Sequence, residues 1–130
     1  MQIAYICSPY RAAGAQEKET IKIIHKRNVE YARELTRKAI KIGLAPITPH
    51  LYITQVVDGE VEQERQQGLK AGIAILKGCD LIVLGERYGI SSGMSGELKK
   101  AEEMGIQIIT EKELDTAIML TREREGSSNG

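Results

Sequence analysis

Four short apolar runs alternate with longer helical segments along the chain, and this alternation constrains the fold more than any other feature. The runs are "QIAYIC" (Gln2 to Cys7), the start of "LAPITPH", "DLIVLG" (Asp80 to Gly85) and "IQIIT". "QIAYIC" and "DLIVLG" are continuously apolar, as strands buried on both faces are. Prolines break "LAPITPH", which reads as a brief strand with an irregular exit.

The segments between them have helical periodicity. In "VEYARELTRKAIKI", Val29, Ala32, Leu35, Ala39 and Ile42 recur every three or four residues and make one apolar face. Asn28 is the expected N-cap and Gly43 the C′ residue. "IKIIHKR", just before Asn28, fits either an extension of that helix or a turn of its own. "EVEQERQQGLKAGIAILKG" carries Leu69, Ile73 and Leu76 at helical spacing and stops at Gly78. "SGELKKAEEMG" is a helix ending at Gly105, and "KELDTAIMLTRERE" closes the chain as another. The pattern predicts an α/β fold: a single-domain open parallel sheet of four to five strands, Rossmann- or flavodoxin-like, with helices on both faces. The domain is expected over residues 1–125, with 126–130 ("GSSNG") as a disordered tail.

Lys+Arg and Asp+Glu both number 18, so the formal net charge is zero. A general nucleic-acid binder would show a basic excess or stripe, so no nucleic-acid partner is expected. No apolar run is long enough to span a bilayer and no signal-peptide pattern is present, so no membrane partner is expected and a cytoplasmic location is. Cys7 and Cys79 read as small buried residues rather than a disulfide framework. With only His25 and His50 to join them, no metal site is expected.

In an open parallel sheet, ligands bind at the carboxyl ends of the strands. Three segments with distinctive chemistry fall there: "SPYR", "TPHLY" and "GERYGISSGMSGE". In the third, Gly93 and Gly96 permit close approach of a ligand, and Ser91, Ser92 and Ser95 offer hydroxyls. The following helix start offers free N–H groups and the positive end of its dipole. Together they form a candidate phosphate cradle, distinct from a Walker loop or a GxGxxG fingerprint; the simpler reading is an N-cap with flexible glycines. If Ser92 is the N-cap, a capping box would place its acid at position 95, which is Ser95. Glu97 then lies in the second turn, either as a surface partner of Lys100 or as a functional carboxylate at the crevice. Arg11, in "SPYR", is either a solvated loop residue or, at the same crevice, a group ready to take phosphate oxygens in a fork. His50, after Pro49, either lines the second loop or packs and caps locally.

"YICSPYR" and "SSGMSGELKKAEEMGIQII" together resemble the nucleoside 2-deoxyribosyltransferase-like superfamily, over about Met1 to Thr110. That superfamily includes 2′-deoxynucleoside 5′-phosphate N-hydrolases; "NVEYA" and "PHLY" are most similar to its uncharacterised phage and bacterial branch. The resemblance implies that Glu97 is the nucleophile that attacks the anomeric carbon and that Tyr5 orients it. It implies a phosphate contact for Arg11, six residues after Tyr5. Ser91 stands where the hydrolase branch has Ser and the transferase branch has Asp, which favours a 5′-phosphorylated substrate. Ser8, Ser92, Gly93, Met94 and His50 complete the expected binding set. The chain departs from the family pattern at Gly72, where an acid is usual, with Glu62 and Glu64 nearby in a different register. It departs again at Ser95, which replaces a glycine.

The resulting expectation is a nucleotide N-glycosidase or deoxyribosyltransferase. It would cleave the base–sugar bond of a (deoxy)nucleoside 5′-monophosphate through a Glu nucleophile, with no cofactor. Its partners would be a small-molecule nucleotide or nucleoside and further copies of itself in a homodimer or higher homo-oligomer. The alternative is a non-catalytic module that senses or sequesters a nucleotide-derived signal.

Overall fold

The computed structural model describes residues 1–12 and 14–128, with side chains through Glu125. The elements run β1 (Ile3–Cys7), α1 (Lys18–Lys41), β2 (Ala45–Ile47), a 3₁₀ turn (Pro49–Leu51), α2 (Ile53–Val56), α3 (Glu62–Lys77), β3 (Leu81–Leu84), α4 (Ser92–Glu103), β4 (Gln107–Thr110) and α5 (Glu111–Ser128). The α/β sheet expected from the sequence is present, with four strands in the order β2-β1-β3-β4, all parallel. Tyr5 is in register with Ile82 and with Ile47, and Cys7 with Leu84.

Alternation along β1 divides the core in two. Ala4 and Ile6 pack with Tyr31, Leu35 and Ala39 of α1 and Leu114 of α5. Tyr5 and Cys7 point the other way, against Leu76 of α3 and Met94 and Ala101 of α4. The chain therefore leaves β1 toward one face of the sheet and leaves β3 toward the other. The crevice between these diverging loops is the topological switch point, where open parallel sheets take ligands.

Several boundaries differ from the sequence reading. Asn28 caps no helix: α1 begins at Lys18, so "IKIIHKR" is its first half and Asn28 lies buried inside it. The Asn28 amide bonds to side chain and loop backbone instead, so local cap preference misplaces the helix start. α1 does end as expected, with Gly43 at φ 84° just after it. α5 continues to Ser128, inside the stretch 126–130 read as a tail; residues 129 and 130 lie outside the described residues. Among the described residues, no helix is long and apolar enough to cross a membrane.

Candidate active site

The helix that follows β3 is capped by Ser91, one residue before the expected Ser92. Its Oγ accepts the Met94 N–H at 3.3 Å, and its own N–H donates to the Met94 thioether at 3.4 Å. Sulfur thus takes the place that Glu or Gln fills in the usual capping box. Met94 was expected to bind substrate. Its side chain is instead packed in the core at 2% exposure, and its N–H is committed to Ser91. The N–H groups of Ser92 and Gly93 have no partner among the described residues. Both residues are exposed, so the helix start is open to an anion.

Glu97 lies on the inward stripe of α4. Met94, Leu98, Ala101 and Met104 at helical spacing all join the α3/α4 core, and Glu97 is the one carboxylate among them. It is not a surface partner of Lys100, which pairs with Glu103 at 3.4 Å. Its Oε2 is buried without a hydrogen-bond partner among the described residues. Burial pushes the carboxyl up to about 7, against the opposing effect of the Tyr5 hydroxyl, which favours the ionised form. Tyr5 is 4% exposed. Its phenol is held well above the usual range, first by burial and then by the adjacent Glu97. Two neighbouring groups of β1 and α4 thus form a pair that no cation offsets among the described residues.

Gly72 of α3 completes this corner. A Cβ placed on it would stand 3.4 Å from the Tyr5 hydroxyl, so the position where a second acid was sought directly faces the phenol and is left open. Glu62 and Glu64 do not fill it. Glu62 accepts from Gln66 and pairs with Arg65 on the surface, and Glu64 is exposed.

The remaining expected residues form a second group at the same end of the sheet. Ser8 Oγ and His50 Nε2 are 3.0 Å apart. Burial lowers His50 to about 4, so its imidazole is neutral at pH 7 and supplies hydrogen bonds without charge. Arg11 is exposed and donates to the Gly59 carbonyl at 3.2 Å, in the loop before α3. Among the described residues Arg11 makes no hydrogen bond to Ser91, so the structure assembles Tyr5 with Glu97 and Ser8 with His50 and leaves the arginine outside both pairs. Among the described residues there is no cluster of three His, Cys, Asp or Glu suited to a metal.

The sequence reading missed what fixes the loop between β3 and α4. Arg87 binds both Glu34 oxygens, at 2.9 and 3.1 Å, and Glu111 at 2.5 Å, while its N–H donates to the Tyr31 hydroxyl at 3.2 Å. These partners are far apart in sequence, and no local spacing announces them.

The domain pattern designated DUF7768, a domain of unknown function, matches residues 2–111. The chain belongs to the DUF7768 family. No curated protein matches it. Among solved structures, this DUF7768 domain is similar to a 2-deoxyribosyltransferase from the psychrotolerant bacterium Bacillus psychrosaccharolyticus, at 19% identity and a TM-score of 0.53, covering 83% of this chain and 70% of that one. It is also similar to the 2-deoxyribosyltransferase of Leishmania mexicana, at 18% identity and a TM-score of 0.54, covering 85% of this chain and 63% of the other. The DUF7768 chain thus spans less than two thirds of the Leishmania enzyme. At these identities the shared property is the fold, in agreement with the superfamily resemblance carried by the two motifs.

Proposed function

We propose that this DUF7768 protein binds a nucleoside 5′-monophosphate across the β1/β3 switch point and cleaves its base–sugar bond, with Glu97 as nucleophile. The observation that carries the reading is the buried Glu97 carboxylate, with one oxygen unpartnered among the described residues and the Tyr5 phenol and Cys7 thiol beside it. A carboxylate that is half ionised near neutrality, poorly solvated and held on a helix suits nucleophilic attack. The phosphate would rest on the free N–H groups of Ser92 and Gly93, with Ser91 beside them and Arg11 released from Gly59 to complete its neutralisation. Ser8 and neutral His50 would meet uncharged hydroxyls of the sugar.

In the first step Glu97 forms a bond to C1′ while the C1′–N bond breaks, and the base leaves with the bonding electrons. Gly72 removes the neighbouring acid, so the leaving base takes its proton from water. In the second step water attacks C1′ of the glycosyl ester, releasing the sugar phosphate and restoring the carboxylate; a second base in place of water would give transfer. The similarity to 2-deoxyribosyltransferases of known structure supports nucleoside-related chemistry of this kind.

The open position at Gly72 favours one other reading: a domain that holds a nucleotide without cleaving it. Free-base release from 2′-deoxynucleoside 5′-monophosphates separates the two. Cleavage by the wild-type chain that is lost in Glu97→Gln, with binding kept, supports the enzyme. Binding without cleavage by the wild type supports the binder. Exposed Met119 and Leu120 on α5 make self-association into a homo-oligomer part of the proposal. A monomer at micromolar concentration in light scattering would remove that part.

A further inference from the structure

Asn28 is only 1% exposed in the middle of a 24-residue helix. A buried amide is tolerated when its bonds are made, and here they are made to unusual partners. Nδ2 donates to the Tyr10 carbonyl at 3.1 Å, in the loop that leaves β1. Oδ1 accepts from Nε and Nη2 of Arg27, at 3.3 and 3.1 Å. The Arg27 guanidinium also lies over the Tyr88 ring, 3.9 Å from its centroid. Tyr88 stands in the loop that leaves β3, just before the cap Ser91. Asn28 and Arg27 together therefore link the two loops that flank the switch point, Asn28 through the Tyr10 carbonyl and Arg27 through the Tyr88 ring.

A second arginine lies against the same ring, and the contrast between the two is informative. Arg87, 5.9 Å from the Tyr88 centroid, is neutralised by Glu34 and Glu111. Arg27 pairs with no carboxylate among the described residues, and neither does Arg11, next to Tyr10. Its side chain is already ordered by two hydrogen bonds and a ring, so little further freedom is lost when it takes a ligand. An immobilised guanidinium without a counter-charge among the described residues, packed on Tyr88 of the loop that leads into a helix start with two free N–H groups, is arranged to receive an anion.

We propose that Arg27 is a second guanidinium ligand for the substrate phosphate and sets the preference for a dianionic phosphomonoester over an uncharged nucleoside, with Asn28 and Tyr88 as its positioning residues. The proposal rests on the nucleotide reading above. Calorimetry of the full chain with the four common 2′-deoxynucleoside 5′-monophosphates, and with their nucleosides, tests it. Arg27→Ala is expected to weaken nucleotide binding by roughly tenfold or more, the worth of a charge-assisted contact, and to leave nucleoside binding unchanged. The salt dependence of nucleotide binding should also become shallower. Tyr88→Leu, which keeps the charge but removes the ring, should weaken nucleotide binding to a smaller extent.

Nucleotide affinity held within twofold in Arg27→Ala, while Arg11→Ala loses it, would overturn the role of Arg27 and leave the nucleotide reading intact. Equal losses for nucleotide and nucleoside would make Arg27 a loop support and overturn the proposal. Equal binding of nucleotide and nucleoside by the wild-type chain would overturn the phosphate reading itself, and this inference with it.

Discussion

Tyr31 and Glu111 meet on one face of the sheet at 2.8 Å, and Tyr5 faces Glu97 on the other. The chemistry of the two pairs is the same, yet their surroundings differ. Around Glu111, burial raises the carboxyl, but Tyr31, Arg87 and Lys38 together outweigh it and hold the group below its ordinary value. Lys38 in turn reaches Asp115 at 2.7 Å, and Arg87 reaches Glu34. Around Glu97 nothing among the described residues outweighs burial, and one oxygen lacks a partner there. A tyrosine alone does not stabilise a buried carboxylate; nearby cations do. The first pair fastens the loop that carries Tyr88 and Ser91 to α1 and α5. The second stays uncompensated where α4 meets β1, as groups held ready for chemistry often are.

Breaking the two pairs in parallel should give the largest contrast in turnover. Glu97→Gln should lower base release by at least roughly a thousandfold, because the nucleophile itself is gone. Glu111→Gln should lower it by less than roughly tenfold, through loosening of the loop. Single-turnover assays that quantify free base read both.

Stability should move in opposite directions. The folded Glu97 value of about 7 lies above the ordinary glutamate value of 4.5. Both states are protonated below pH 4.5, so no penalty exists there. As pH rises toward 7 the unfolded chain ionises first, and the penalty is complete above that. Glu97→Gln should therefore stabilise the protein by on the order of 2–3 kcal/mol at pH 8 and by almost nothing near pH 4. Glu111→Gln should destabilise by about 1–2 kcal/mol at pH 8, since Arg87 and Lys38 keep Glu34 and Asp115 as partners. Urea unfolding at the two pH values checks both signs.

The same carboxyl shapes the pH–rate profile. Base release should rise through a limb near pH 7 as Glu97 ionises, measured as kcat/KM with subsaturating nucleotide. His50, depressed to about 4, contributes no limb between pH 5 and 8. Its effect is on stability, which it lowers as pH falls from about 6.5 to 4, because the unfolded chain gains the proton first. The smallest effect is expected at the helix cap: Ser91→Ala should cost about 1 kcal/mol in thermal or urea unfolding.

The architecture was legible because continuous apolar runs and helical periodicity leave few alternatives, and β1 and β3 lie where "QIAYIC" and "DLIVLG" placed them. Glu97 was visible as an oddity of position, although spacing alone also allowed a surface pair with Lys100. The α1 start was not legible, because Asn28 has the residue type of a cap while its bonds go to Tyr10 and Arg27. The Met94 thioether in the capping box follows no common cap signature. The Arg87 network joins residues that only the folded sheet brings together.

The nucleophile assignment meets its most direct test in intact-mass analysis after incubation with 2-deoxy-2-fluoro nucleoside 5′-monophosphates, whose fluorine slows release of a glycosyl ester. The wild-type chain should gain the mass of one fluorosugar phosphate, peptide mapping should place it on Glu97, and Glu97→Gln should gain nothing. Turnover of natural nucleotides at an unchanged rate by Glu97→Gln, or an adduct on any other residue, would contradict the assignment.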